Sequence, residues 1–294
     1  MLTVGNDSGK RHDVPVTTIA FIHAHPDDEA SLTGGSMARA AVAGDRVVLI
    51  VATGGEHGEV PEDLVEGESL ADRRRRELAA SAKVLGVAEV RWLGYSDSGM
   101  TGWTQNSDPD AFVSADLDEA GQRLAAVFED VGAEVVVGYD WHGGYGHPDH
   151  VQVHRVTRRA VELLSRAVRL LEATMNRDRM RALMKAASAA GMVDPSMGEF
   201  DPDQPMDDGN PLGTPEAEIA WSVDVREFVH LKREALACHR SQVSDTSMFL
   251  SVPPEAFAMM FGTEFYIEPG AAEGMQSGWP FTAPGDGSTE DLGT

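Results

Sequence analysis

The sequence predicts an α/β protein with a Rossmann-like, mostly parallel sheet and helices on both faces. Short apolar stretches rich in Val and Ile alternate with segments of helical periodicity up to about residue 165. This alternation is typical of a parallel sheet that helices cover on both sides. One stretch, 46–52 (Arg-Val-Val-Leu-Ile-Val-Ala), is almost continuously apolar, as expected of a strand with both faces buried.

Four strands and four helices follow from this pattern in chain order. The predicted strands are short apolar runs that lead into polar loops: 16–22, 46–52, 89–93 and 134–139. The predicted helices carry apolar residues at helical spacing: 34–43, 69–85, 116–131 and 150–164. Gly44 and Gly86 are natural helix stops, and Asp116 is a candidate N-cap.

The last third of the chain has a less regular pattern. Residues 168–174 suit a strand and a helix equally. Beyond them the pattern predicts two helices and one strand, at 178–190, 225–240 and 219–223. The acidic stretch 192–216 is rich in Pro and Gly, which predicts a long surface loop.

We expect the chain to form a single domain. Its predicted limits are 17–268, because the periodic segments all lie between these residues. Residues 1–16 are expected to be a flexible lead-in. Residues 269–294 lose periodicity and become rich in glycine, which predicts a disordered tail.

Composition and charge exclude several kinds of partner. The net charge of −24 argues against nucleic acids and anionic membrane surfaces, because both attract basic patches. No apolar window of about 18 residues is present, so we predict no membrane span. The polar N-terminus lacks a signal-peptide core, and we expect a cytoplasmic protein. The single Cys238 rules out an intramolecular disulfide and is expected to be a buried thiol. A homo-oligomer is left open.

Two copies of His-Pro-Asp follow two of the predicted strands. The first lies in His25–Glu29, after the first strand, and the second in Gly146–His150, after the fourth. In doubly wound sheets, ligands bind where loops leave the carboxyl ends of the strands. One copy alone could simply begin a helix, with its aspartate beside the positive end of the helix dipole. Two copies at matching strand ends favour a metal site assembled from both.

Two histidines and one carboxylate can hold a divalent metal and leave coordination positions open. His25 and Asp28 are three residues apart, so one turn directs both to one point. His150 supplies the third ligand. Asp27 can then take a proton from a metal-bound water, whose pKa falls from about 15.7 towards about 7. His147 can protonate a leaving amine or hold an oxyanion, and the set predicts a hydrolase.

Several other polar features suit ordinary structural roles. His23 and His154 are expected to pack behind the ligands, and His239 has no predicted role. For three of its four arginines, the run Arg73–Arg76 is typical of a solvated helix face. The Gly-rich loop 53–58 is weak support for a phosphate site, because no Lys follows in the P-loop pattern.

The two motifs together resemble a known family. Ala24-His25-Pro26-Asp27-Asp28-Glu29, followed by Gly146–His150, is similar to the LmbE-like, or PIG-L, superfamily of zinc-dependent N-acetylglucosamine deacetylases. Within it, the chain is most similar to the actinobacterial branch of the mycothiol-biosynthesis deacetylase and the mycothiol S-conjugate amidase. The resemblance covers residues 17–165. It extends loosely to Ala237–Gln242, where the family often has His-x-x-Gln.

The resemblance implies roles for ten positions. They are the zinc ligands His25, Asp28 and His150, the catalytic residues Asp27, His147, Tyr145 and Asp149, and the sugar or inositol contacts Glu59, Arg74 and Asp97. Zinc is the implied metal, and iron is an alternative occupant in the cell. The chain departs from the mycothiol-pathway enzymes at Trp141-His142 and in the acidic stretch 192–216.

We therefore predict a metal-dependent hydrolase. It would use metal-activated water to remove an N-acyl group, acetyl in the main hypothesis, from an N-acetylglucosamine-type sugar or glycoside. A mycothiol S-conjugate-type amidase is the first alternative, because it would use the same site. An Fe(II) oxygenase is disfavoured because the sequence has no all-β pattern to carry such a site. An inactive sugar-binding protein is disfavoured because the chain keeps the candidate base Asp27 and the candidate acid His147.

Overall fold

The strands form one sheet in which the first five are parallel. A computed structural model describes residues 16–189, 201–243 and 249–285. Within them the strands are β1 Thr18–His23, β2 Arg46–Thr53, β3 Glu89–Tyr95, β4 Val135–Tyr139, β5 Arg169–Thr174, β6 Trp221–Asp224, β7 Thr263–Ile267 and β8 Gln276–Ser277. Their order across the sheet is β3-β2-β1-β4-β5-β7-β6-β8. The predicted α/β class with a mostly parallel sheet is confirmed.

Helices cover both faces of this sheet. In the described chain the α-helices are α1 Gly34–Ala43, α2 Leu70–Val84, α3 Leu117–Val131, α4 Pro148–Leu163, α5 Arg177–Ala189, α6 Val229–Leu236 and α7 Pro254–Phe261. Successive β1 residues point to opposite faces, so Phe21 belongs to one apolar core and Ile22 to the other. Helices α1, α2, α6 and α7 contribute to the first core, and α3 and α4 to the second.

The strand order creates a crevice between β1 and β4. From β1 the chain builds outward through β2 to β3, and then it crosses back to place β4 on the other side of β1. In an open α/β sheet, ligands bind at the carboxyl ends of the strands where the order reverses in this way. Both His-Pro-Asp motifs follow these two strands, so the fold places them at one crevice.

Several elements of the last third differ from the predictions. Residues 169–174, which the pattern left open, form strand β5. The helix predicted at 225–240 is shorter and spans Val229–Leu236, because 225–228 form a turn that packs on Gly262. Helix α7 and strands β7 and β8 were not predicted, and β7 runs antiparallel to β5. Cys238, expected to be buried, is partly exposed.

Two stretches predicted to lack structure are partly ordered. The prediction of a disordered tail is wrong for 269–285, because β8 pairs with β6 and Phe281 is buried in the core. Residues 286–294 lie outside the described residues, as do 1–15 of the predicted lead-in. Residues 190–200, which include the first part of the acidic stretch, also lie outside them. Residues 211–214 of that stretch are not an exposed loop, because Gly213 and Thr214 pair with Gly144 and Met175.

The described helices differ in length and polarity from membrane spans. Among them, none combines the length and the apolar character that crossing a bilayer requires.

Candidate metal centre

The carboxylate of Asp28 joins the two motifs. Its Oδ1 lies 3.3 Å from His150 Nε2, and its Oδ2 lies 3.4 Å from His25 Nδ1. Oδ2 also accepts a hydrogen bond of 2.8 Å from the backbone N–H of His25. Asp28 therefore contacts both of the other predicted ligands, which follow β1 and β4 on the two sides of the crevice. Burial alone would raise the pKa of Asp28, but His150 and His25 hold it well below its usual range.

The far side of the His25 ring faces two more carboxylates. Its Nε2 lies 3.1 Å from Asp149 Oδ2 and 3.6 Å from Asp97 Oδ1. Burial would lower the pKa of His25, but the hydrogen bonds with Asp149, Asp28 and Asp97 raise it well above its usual value. Asp149 is itself fully buried and accepts hydrogen bonds from the backbone and side chain of Ser98.

His150 is oriented by the glycine loop that precedes it. Its Nδ1 donates to the carbonyl of Gly143 at 3.0 Å, which leaves Nε2 facing Asp28. That Nε2 is buried and makes no hydrogen bond to any described residue. Gly143 has φ +64°, and a Cβ at this position would lie 2.1 Å from the Cβ of His150. Only glycine allows the loop to come this close to the histidine.

Asp27 has an unusual backbone conformation. It is the one non-glycine residue of the described chain with a positive φ, at +105°. Such a conformation costs about 1–3 kcal/mol and persists only when its surroundings hold it. Its N–H donates to Glu29 Oε2 at 2.9 Å, and Arg74 Nη2 lies 3.2 Å from its Oδ2. Burial raises the pKa of Asp27 to about 6, against the opposing effect of Arg74.

His147 lies beside both histidine ligands and begins α4. Its ring centroid is 4.5 Å from that of His25 and 5.1 Å from that of His150. Its Nδ1 accepts the backbone N–H of Asp149 at 3.1 Å, so Nε2 carries the proton of the neutral ring. Burial lowers the pKa of His147, and the neighbouring His25 and His150 lower it further. A neutral ring with Nε2–H is suited to donate a hydrogen bond to an oxyanion.

The predicted substrate contacts are placed in three different ways. Asp97 is buried and also accepts the N–H groups of His57 and Gly99. Arg74 is buried too, and its guanidinium donates to the carbonyls of Pro26 and Gly55 besides Asp27. The Glu59 side chain is exposed and is not among the groups that meet at the histidines.

Tyr145 completes the ring of aromatic groups around the ligands. Its ring lies 5.0 Å from that of His150 and 6.2 Å from that of His147, edge-on to both. Burial raises the pKa of Tyr145, so the phenol keeps its proton and can donate a hydrogen bond. The structure thus gathers nine of the ten predicted site residues and leaves Glu59 at the surface.

Three residues that shape the site were not predicted from the sequence. Asp140, directly after β4, accepts the N–H groups of His142 and Gly144 and fixes the glycine loop. Ser98 holds Asp149, and the hydroxyl of Tyr139 meets His23 at 2.9 Å and the N–H of Ala24 at 3.2 Å. A polar residue immediately after a buried strand was the available signal for Asp140. Ser98 and Tyr139 gave none.

The donor set suits a small divalent ion such as zinc. Zinc–nitrogen and zinc–oxygen bonds of about 2.0–2.2 Å at tetrahedral angles place two ligand atoms about 3.3–3.5 Å apart. Two separations lie in this range, 3.3 Å from Asp28 Oδ1 to His150 and 3.4 Å from Asp28 Oδ2 to His25, one at each carboxylate oxygen. The buried Nε2 of His150, which has no hydrogen bond to the described part of the chain, is a further sign, because buried polar atoms normally have a partner.

Two groupings of donor atoms occur at this place, and the predicted set of His25, Asp28 and His150 is not one of them. In the described chain, His25, His147 and His150 have ligand atoms within 4.8 Å of one another, and so do His25, Asp97 and Asp149. Both share His25 with the predicted set. Nδ1 of His147 is already engaged by the Asp149 N–H, and Asp149 by Ser98. Asp28, which contacts both histidines, stays the predicted third ligand.

Comparison with known proteins agrees with the predicted family and fold. An α/β sheet with polar clusters at the crevice of its strand order is typical of enzymes. The family model described as GlcNAc-PI de-N-acetylase, PIG-L, matches residues 20–161. The chain belongs to this family, and the resemblance predicted from the two motifs is confirmed.

Relatives are similar over almost the whole chain. A protein of Acidothermus cellulolyticus named 1D-myo-inositol 2-acetamido-2-deoxy-alpha-D-glucopyranoside deacetylase is 38% identical, over 94% of each chain. A protein of the same name from Geodermatophilus obscurus is 36% identical, over 90% of this chain and 96% of its own. Among solved structures, N,N'-diacetylchitobiose deacetylase from Pyrococcus horikoshii has a TM-score of 0.54 at 22% identity, covering 86% of this chain and 83% of that one. This last likeness concerns the fold.

Proposed function

We propose that the chain is a metal-dependent deacetylase acting on an N-acetylglucosamine-type glycoside. The observation that carries this function is the contact of Asp28 with both His25 and His150, with Asp27 alongside. The relatives named above supply the substrate class, a 2-acetamido-2-deoxyglucopyranoside linked to myo-inositol. The reaction breaks the amide C–N bond, adds water, and yields acetate and a free amine.

His25, Asp28 and His150 would hold the ion, and zinc suits this nitrogen and oxygen donor set. A divalent ion bound there would lower the pKa of water towards about 7 and polarise the amide carbonyl. A ferrous ion would fit the same two-histidine, one-carboxylate set, so the identity of the metal is part of the proposal.

Asp27 is the proposed general base. Its carboxylate accepts a proton from the attacking water and later delivers it to the amine nitrogen, so protons balance over the reaction. The hydrogen bond from Arg74 Nη2 at 3.2 Å occupies Oδ2 of Asp27 and leaves Oδ1 for the water. The buried position that raises its pKa also makes this carboxylate a better proton acceptor.

His147 and Tyr145 are the proposed donors to the oxyanion. Because Nδ1 of His147 accepts the N–H of Asp149, its Nε2–H is the donor available to a substrate oxygen. The backbone N–H of Asp149 is proposed to keep His147 in this tautomer. The carboxylate of Asp149 meanwhile forms hydrogen bonds with His25 and Ser98. Asp97, Arg74 and Glu59 are proposed to contact the sugar or inositol, as in the family resemblance.

The direct test is turnover of a panel of N-acetyl glycosides by the zinc-loaded protein. We expect release of acetate and free amine from N-acetylglucosaminyl-inositol. A thiol conjugate of the same pseudodisaccharide tests the amidase alternative under the same conditions. Bound metal without hydrolysis of any panel member would refute the proposal.

The Asp27→Asn variant tests the role of the base. Asparagine keeps the shape and tolerates a positive φ, but it cannot accept the proton. We expect the rate to fall roughly 10²–10⁴-fold while the metal content stays that of the wild type. Loss of metal from this variant would instead identify Asp27 as a ligand. Metal analysis beside a steady-state assay distinguishes the two outcomes.

A further inference from the structure

We propose that His239 and Glu29 form a buried pair that positions Asp27, so that the last third of the chain sets the backbone conformation of the proposed general base. This inference rests on the proposed function for the role of Asp27. The contacts that link His239, Glu29 and Asp27 do not depend on that function. His239 is thus a positioning residue that acts through Glu29 and does not touch the substrate.

Glu29 connects the strained residue to the protein interior. One carboxylate oxygen, Oε2, accepts the N–H of Asp27 at 2.9 Å. The other, Oε1, lies 2.6 Å from His239 Nε2 and accepts the hydroxyl of Ser81 on α2. The side chains of Glu29 and His239 are both fully buried. A buried carboxylate is held in one place only if its partners satisfy both oxygens.

The position of Asp27 makes this connection important. A residue with φ +105° would relax to an ordinary conformation unless its N–H and C=O were both held. The carbonyl of Asp27 accepts the N–H groups of Ala30 and Ser31, the start of the π-helical turn Glu29–Thr33. Its N–H has Glu29 as its acceptor. Removing His239 leaves Oε1 of Glu29 with the Ser81 hydroxyl alone, so the carboxylate is held less firmly and its hold on the Asp27 N–H weakens.

The segment that carries His239 is anchored separately, which provides a matched control. Ser241 donates from its N–H and its hydroxyl to Glu77 on α2, at 2.9 and 2.6 Å. Ser241 is buried like His239, but Glu77 makes no hydrogen bond to Asp27 in the described chain. Loss of the Ser241 hydroxyl therefore loosens the same segment without touching the path to the base.

The test compares His239→Ala with Ser241→Ala. We expect His239→Ala to lower kcat about 10–100-fold, since a displacement of about 1 Å at a reacting group can cost 10²-fold. Metal content and KM should stay within about twofold of wild type, because neither His25, Asp28 nor His150 contacts His239. Ser241→Ala should keep kcat within about twofold. His239→Gln, whose amide can still donate to Glu29, should recover part of the loss.

Two further measurements separate positioning from general damage. In the Asp27→Asn background, His239→Ala should cause little additional loss if it acts through Asp27, whereas independent effects multiply. The hydrogen exchange of the Asp27 amide, followed by NMR, should be faster in His239→Ala than in wild type and unchanged in Ser241→Ala. If His239→Ala does not fold, His239→Phe fills the same volume without a donor and takes its place.

These experiments distinguish a failure of the positioning role of His239 from a failure of the proposed deacetylase function. Three results would each overturn the positioning role. The losses from Asp27→Asn and His239→Ala could multiply, Ser241→Ala could lose as much kcat as His239→Ala, or the Asp27 amide could still exchange slowly in His239→Ala. If the wild type hydrolyses no N-acetyl glycoside, the proposed function fails. The amide exchange and a crystal structure reporting φ of Asp27 in the variant still decide whether the pair holds this residue.

Discussion

The carboxylate of Asp28 is the residue-scale feature that makes this site. Its two oxygens meet histidines from loops more than a hundred residues apart in sequence. The motifs predicted this contact because each follows a strand at the crevice of the sheet. They could not predict that the Arg74 side chain is buried. Its partners, the carbonyls of Pro26 and Gly55, are backbone groups whose positions depend on the tertiary structure. Arg74, predicted to contact the substrate, also donates a hydrogen bond to Asp27, the proposed base.

Gly143 provides a residue-scale prediction. Gly143→Ala should lower both stability and zinc content, because its Cβ would lie 2.1 Å from the Cβ of His150. Gly132→Ala is the control, since Gly132 has a similar φ of +67° and open space at its Cβ position. The control should lose only the backbone cost of about 1–2 kcal/mol. Denaturant unfolding with metal analysis measures both variants, and equal losses in the two would refute the close-approach argument.

At the scale of elements, the antiparallel strand β7 was missed for a physical reason. Its sequence Thr-Glu-Phe-Tyr-Ile places Glu264 at a buried position, where a pattern of apolar residues expects none. The carboxylate is satisfied by the N–H groups of Gly35 and Ser36 at the start of α1 and by Lys232 on α6. Partners so distant in sequence leave no local signal. By contrast, β1, β2 and β4 were predicted because their own residues are mostly apolar and locally continuous.

The buried pair of Glu264 and Lys232 gives the element-scale prediction. Lys232→Met removes the cation 2.6 Å from Glu264 Oε1 and leaves a buried carboxylate without its charge partner. Breaking one side of a buried ion pair costs about 3–5 kcal/mol, so urea unfolding should show a loss of this size. The double variant Lys232→Met/Glu264→Gln should recover part of it, because the charge is gone while a polar group still faces α1. A double variant no more stable than Lys232→Met would count against this account.

At the scale of the whole molecule, the sequence predicted the fold class and the crevice but not the full extent of the fold, and the metal ligands stay a prediction. The tail predicted at 269–294 lacks periodicity, yet Phe281 is buried against Phe21 and Tyr266. A short segment that packs through one or two side chains has no period to detect. Cytoplasmic location, the oligomeric state and the single domain over 17–268 stay predictions.

The site concentrates negative charge inside an already acidic chain, and this leads to the last prediction. Asp27, Asp28, Asp97 and Asp149 lie around the histidines in a protein of net charge −24, so a bound cation offsets their mutual repulsion. An ion that binds only the folded state at 1,000 times its Kd stabilises it by about 4 kcal/mol. Removing metal with a chelator should therefore lower Tm by several degrees, and adding back zinc should restore it. His150→Ala should show no zinc-dependent shift, while His147→Ala should keep one. A zinc-dependent shift as large as that of the wild type in His150→Ala would mean that the ion binds elsewhere, among the exposed carboxylates, and that Asp28 and the two histidines do not form the metal centre.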